Sequence, residues 1–86
     1  MMPRERLTAK EIQVADLVWQ GLTNREIGKL MGTTEQVIKN HLRSTFDKLG
    51  VWSRLELAMY VASHGGKNWM EDSVHPLSAL LRAAAS

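Results

Sequence analysis

The chain contains no cysteine, which excludes a disulfide framework and any zinc site built on thiolates, and is compatible with a reducing compartment. Long apolar runs are missing too. None approaches the roughly 20 residues that a helix needs to cross a bilayer, and the polar start MMPRERLTAKE lacks the apolar centre of a signal peptide. The expectation is a cytoplasmic protein that does not enter the membrane. No excess of one charge sign dominates either: eleven Lys and Arg stand against nine Asp and Glu, for a net +2, which neither demands nor excludes an anionic partner. β-branched alternation joined by hairpin turns is absent, so strands are not expected. The 86 residues leave room for one small domain with a limited core.

What is present is helix punctuation. Ser or Thr followed three residues later by Glu or Gln occurs at Thr8/Glu11, Thr23/Glu26, Thr33/Gln36 and Ser53/Glu56. In such a box the hydroxyl accepts from a helix-start N–H while the longer side chain reaches back. Each box is followed by a glycine suited to end a helix: Gly21, Gly32, Gly50 and Gly65. Four starts and four stops predict four helices, at 9–20, 24–31, 34–49 and 54–64, with Thr33 and Thr34 equally good caps for the third. The fold class is all-α. Ile12, Ala15, Val18 and Trp19, widened by Val14 and Leu17, offer a core face on the first helix; Ile27, Leu30 and Met31 do so on the second. Only GT or GTT separates the second and third helices, a turn short enough for a helix-turn-helix.

The fourth helix, RLELAMYVASH, is apolar around much of its circumference. Leu55, Ala58, Met59 and Ala62 form one stripe, and Leu57, Tyr60 and Val61 form another. One stripe can pack on the domain, and the leftover one lies under the C-terminal tail or meets another subunit. Leu57, Tyr60 and Val61 are assigned to the dimer interface. From Gly65 the composition changes, with Gly-Gly, then His75-Pro76, then LSALLRAAA, in which Leu77, Leu80 and Leu81 share a side. The expected organisation is an N-terminal arm at 1–6, a domain at 7–64 and a flexible or partly helical tail at 65–86.

The third helix, TEQVIKNHLRSTFDKLGV, has two faces at 100° per residue. Ile38, Leu42, Thr45, Phe46 and Leu49 gather on one; Gln36, Lys39, Asn40, Arg43 and Asp47 gather on the other. Between Thr34 and Arg54 the basic residues Lys39, Arg43, Lys48 and Arg54 outnumber Glu35 and Asp47. A helix fits the DNA major groove, where Lys and Arg can bond guanine O6 and N7 and Asn can bond adenine N6 and N7. An ordinary solvated face is the bland alternative.

Laid out in order, LTAKE, GLTNREIG, VIKNHLRSTFDKLGV and SRLEL resemble the LuxR/NarL-type (GerE-like) DNA-binding domain found at the C-terminus of many bacterial transcription regulators, over about residues 7–64. The resemblance implies a four-helix, helix-turn-helix effector domain like those of response regulators, with the third helix in the major groove of double-stranded DNA. The family's base-reading positions fall on Lys39, Asn40 and Arg43, and Gln36 is an additional candidate. Candidate phosphate contacts are Asn24, Arg25, Thr33, Thr34, His41 and Lys48, because hydroxyls, helix-start N–H groups and cations attract phosphate. Homodimerisation through the fourth helix would match half-sites about one helical turn apart. The chain departs from the family pattern at Gly28, usually Ala, at Thr34, usually Ser, at Val37, usually Thr, and at Trp52. Gly28 suggests a close helix crossing or a weaker second helix. Trp52 is a core cover or an exposed anchor, and Arg54 is expected to pair with an acid such as Glu11.

Catalysis has little support in the residues. His41, His64 and His75 lack the i, i+4 carboxylate pairing of a helical metal site, and no nucleophile with a base or phosphate-binding glycine loop stands out. No metal and no cofactor are expected. A sigma-factor promoter-reading domain shares part of this layout, but KLGVWSRLEL argues against it. The alternative of another class is a protein-interaction module that pairs through the fourth helix with a longer regulator and modulates it. RNA polymerase is a further candidate partner.

Overall fold

Thr8, Thr23, Thr34 and Ser53 each accept a hydrogen bond from the N–H three residues on, and each opens a helix. In the computed structural model, which describes residues 3–70, the helices are α1 (Ala9–Trp19), α2 (Asn24–Met31), α3 (Glu35–Leu49) and α4 (Arg54–Ser63). A 3₁₀ turn at Pro3–Arg6 precedes them and another at Gly66–Asn68 follows. Among the described residues there is no strand, and the architecture is the expected all-α, four-helix one.

Two capping boxes close reciprocally. Glu11 returns a bond to the Thr8 N–H at 2.8 Å and Glu26 does the same for Thr23 at 2.8 Å. At α3 the choice falls on Thr34, whose hydroxyl accepts from the Val37 N–H at 3.2 Å; Gln36 does not reach back but turns to Asn40. Glu56 accepts from the Trp52 N–H at 3.0 Å, one residue ahead of the cap. Each cap contributes on the order of 1 kcal/mol.

The turn between α2 and α3 explains two glycines. Gly32 has φ 71°, a left-handed conformation that costs a side-chain-bearing residue about 1–2 kcal/mol. It lets the Thr33 N–H return to the Gly28 carbonyl at 2.8 Å. A Cβ at Gly28 would lie 3.1 Å from the Thr33 carbonyl oxygen, so Gly28 marks the close approach of the turn to α2.

The core is built around α1, which packs on both α3 and α4. Leu7, Ile12, Val14, Ala15, Leu17 and Val18 meet Ile27, Ile38, Leu42, Leu49, Leu57 and Val61. Thr45, fully buried, satisfies its hydroxyl on the His41 carbonyl at 2.7 Å. Leu30, expected in the core, is exposed, because the short α2 covers the domain with Ile27 and Met31 alone.

Two expectations need correction. Leu57 and Val61, assigned to a dimer interface, are 0% exposed within this one chain, whereas Leu55 and Met59 are 69% and 61% exposed. The stripe that meets α1 is therefore the other one. Tyr60 is half-buried and also occupied, stacked on His64 with ring centroids 3.9 Å apart and edge-on to Trp69 at 6.0 Å. Second, the domain does not stop at 64. Gly65 and Gly66 both take positive φ, and the chain folds back so that Trp69 is fully buried, its indole Nε1 donating to the Ile12 carbonyl at 2.9 Å. At the other end, the expected arm includes the 3₁₀ turn, which lies against α3. His75, Leu77, Leu80 and Leu81 lie outside the described residues.

Candidate nucleic-acid interface

The amphipathic pattern of α3 fixes its orientation. Ile38, Leu42, Thr45 and Leu49 are buried, and the opposite side exposes Glu35, Gln36, Val37, Lys39, Asn40, Arg43 and Asp47. All four expected base readers are thus solvent-facing and on adjacent turns. Two i, i+4 pairs organise them: Lys39 Nζ lies 3.8 Å from Glu35 Oε1, and Gln36 Nε2 donates to Asn40 Oδ1 at 3.1 Å. Such exposed pairs contribute a few tenths of a kcal/mol at most, so they bias the side chains without locking them.

Arg43 and Lys39 border an open groove of about 370 Å³ that also touches Asn24, Leu42, Phe46 and Arg54. This groove brings the start of α2 beside the middle of α3. Arg54 builds it, because its guanidinium donates to the Asn24 side-chain oxygen and to the Leu22 carbonyl, tying the start of α4 to the start of α2. The expected Arg54–Glu11 pair does not form. Sequence reading missed the clamp, since its partners lie 30 and 32 residues away. Asn24 keeps its NH₂ group for an acceptor while its oxygen serves Arg54. Beside it Arg25 is exposed on the first turn of α2.

The remaining phosphate candidates divide. Thr34 is exposed, though its hydroxyl caps α3; Thr33 is half-buried beside it. His41 is half-buried, on the flank of the exposed face. Lys48 is engaged elsewhere, with its Nζ 2.7 Å from Oε1 of the buried Glu11, so the expected phosphate contact is turned into the molecule. Burial pushes the Glu11 carboxyl up, but Lys48, the Thr8 N–H and the hydroxyls of Ser44 and Thr8 outweigh it and hold the pKa at about 2, below the usual 4.5. A buried carboxylate so satisfied is a structural anchor.

A second exposed feature lies away from α3. Trp52, between α3 and α4, is 89% exposed, and Leu55 and Met59, one turn apart on α4, are exposed as well. Among the described residues no group of three His, Cys, Asp or Glu could hold a metal ion, and no helix is long and apolar enough to cross a membrane.

Residues 5–61 match the family model of bacterial regulatory proteins, luxR family. The chain is 36% identical over 59 residues to the transcriptional regulatory protein LiaR of Bacillus subtilis, a match covering 69% of this chain and 28% of LiaR. It is 40% identical over 62 residues to the probable transcriptional regulatory protein SgaR of Hyphomicrobium methylovorum, covering 72% and 28%. To the nitrate/nitrite response regulator protein NarP of Escherichia coli it is 38% identical over 53 residues, covering 62% and 25%. The chain therefore spans about a quarter of the length of these curated relatives. No solved structure matches it significantly.

Proposed function

The chain belongs to the luxR family of bacterial regulatory proteins, and on that premise we propose that it binds double-stranded DNA sequence-specifically as part of a transcription regulator, with α3 in the major groove. The observation that carries this reading is the exposed face of α3, where Gln36, Lys39, Asn40 and Arg43 stand on successive turns beside the groove shared with Asn24. Lys39 and Arg43 supply donors for guanine O6 and N7, and Asn40 supplies an acceptor and a donor for adenine. Asn24, Arg25, Thr33, Thr34 and His41 flank that face and would set its register on the phosphates. A DNA partner supports a location in the bacterial cytoplasm. The family is one of regulators, not of enzymes.

Pairing would use α4, through Leu55 and Met59 with Trp52 at the edge, the apolar surface that one chain leaves exposed. That same surface favours the second reading, a module that pairs with a longer regulator and modulates it. Selection of duplexes from a random library by the purified chain separates the two. An enriched motif, bound more weakly as salt rises and without discrimination by Lys39→Ala/Arg43→Ala, supports DNA reading. Absence of enrichment with folded protein rejects it in favour of the interaction module.

A further inference from the structure

The exposed face of α3 holds two kinds of reader. Lys39 and Arg43 carry donors only, so they bond the two acceptors of guanine but offer nothing to the N6 amino group of adenine. An adenine reader needs an acceptor beside a donor, and the neutral groups on this face that supply both are the amides of Gln36 and Asn40.

Those two amides are already joined. Gln36 Nε2 donates to Asn40 Oδ1 at 3.1 Å across one helical turn. A lone asparagine amide can turn over and present its oxygen and its NH₂ in either order. The bond from Gln36 biases that choice, favouring Oδ1 toward the start of α3 and Nδ2 on the far side. Oδ1 retains a second lone pair, so Asn40 still offers an acceptor and a donor, now with one order favoured over the other. Adenine presents the complement, N6–H₂ beside N7, whereas guanine would set its O6 against Oδ1.

We propose that Gln36 is a positioning residue that biases Asn40 toward adenine, and that this amide pair strengthens an A·T preference at one base pair of the bound site. The proposal rests on the reading of α3 as the groove helix and deepens it. Glu35 and Lys39, the neighbouring pair at 3.8 Å, occupy the adjacent row and leave the amide pair undisturbed.

The test uses the duplex selected from the random library. Each adenine is replaced in turn by 7-deazaadenine, which removes N7 but keeps base pairing, and separately by guanine paired with cytosine. At one adenine both changes weaken the wild type, the second by about tenfold or more. Asn40→Ala abolishes that preference. Gln36→Ala reduces the A-over-G ratio by about twofold, the scale of an i, i+4 helical pair. Gln36→Glu, of similar size but offering Oδ1 only acceptors, reduces it further; the ratio cancels any uniform loss from the added charge.

Both residues are exposed, so all three variants keep the helical signal of the wild type. If Asn40→Ala loses the preference while neither Gln36 variant alters it, the positioning role is wrong. If no adenine responds to 7-deazaadenine, the adenine assignment is wrong as well. Failure of the underlying reading is distinguishable, because the wild type would then select no duplex before any variant is made, and the proposal would fall with it.

Discussion

Lys48 Nζ lies 2.7 Å from Glu11 Oε1 across 37 residues of sequence, joining the last turn of α3 to the first turn of α1. Glu11 also closes the capping box with Thr8, so one buried carboxylate caps the start of a helix, neutralises a cation and holds α3 against the core. Breaking such a pair costs more than the pair contributes, because the partner is left charged and under-solvated.

The pH dependence follows from that carboxylate. Its pKa is lowered from 4.5 to about 2 on folding, so its contribution is fully present above pH 4.5 and is lost as pH falls toward 2. At 1.36 kcal/mol per unit the contribution is about 3 kcal/mol. Glu26, lowered by the Thr23 N–H, acts in the same direction; Asp16, raised by burial, acts in the opposite one. Denaturant titrations of wild type and Glu11→Gln between pH 7 and 2.5 isolate Glu11. The difference in stability shrinks across the acid window, and a constant difference would contradict the assignment.

Lys48 and Arg43 should separate stability from recognition. Lys48→Ala lowers folding stability by about 2–4 kcal/mol while leaving the salt dependence of DNA binding as it was. Arg43→Ala leaves stability within about 0.5 kcal/mol and costs about 1–3 kcal/mol in binding to the preferred site, with relaxed preference. Chemical denaturation and duplex titration at two salt concentrations read both; a lower salt slope for Lys48→Ala would restore it as a phosphate contact.

Trp69 should behave as a core residue although it lies beyond the family match. Trp69→Ala is expected to cost about 3–5 kcal/mol. Trp69→Phe keeps much of the apolar contact but loses the bond to the Ile12 carbonyl, about 1 kcal/mol of it from that bond. A chain ending at His64 should melt at a lower temperature than one ending at Met70. Equal melting temperatures would show that the Gly65–Trp69 turn adds nothing.

The two stripes of α4 make opposite predictions. Leu57→Ala removes a fully buried side chain and should destabilise the monomer by about 2–5 kcal/mol. Met59→Asp, on the exposed stripe, should leave the fold intact and weaken self-association in sedimentation equilibrium. If Met59→Asp does not change the association constant while Tyr60→Ala does, the pairing surface lies elsewhere on α4.

Local features of this fold are legible along the chain alone. Thr8/Glu11 and Thr23/Glu26 mark boxes that form with both bonds, and the alternation of Ile38, Leu42 and Leu49 with Lys39, Asn40 and Arg43 places the exposed face of α3. Thr34 rather than Thr33 caps α3 because the Thr33 N–H is drawn back to Gly28 across the Gly32 turn, a detail of three-dimensional closure. The Arg54 clamp gives no local sign, since an arginine at a helix start can serve several partners equally well.

The sequence by itself determined where the helices begin and end and which side of α3 is polar, because capping and the helical period act over three or four residues. Only the tertiary structure decided which stripe of α4 turns inward, that Lys48 answers Glu11 instead of a phosphate, and that Trp69 closes the core on Ile12, 57 residues away. Periodicity specifies that a stripe exists; the partner it meets depends on how the helices cross, and that is set by packing between segments distant in the chain.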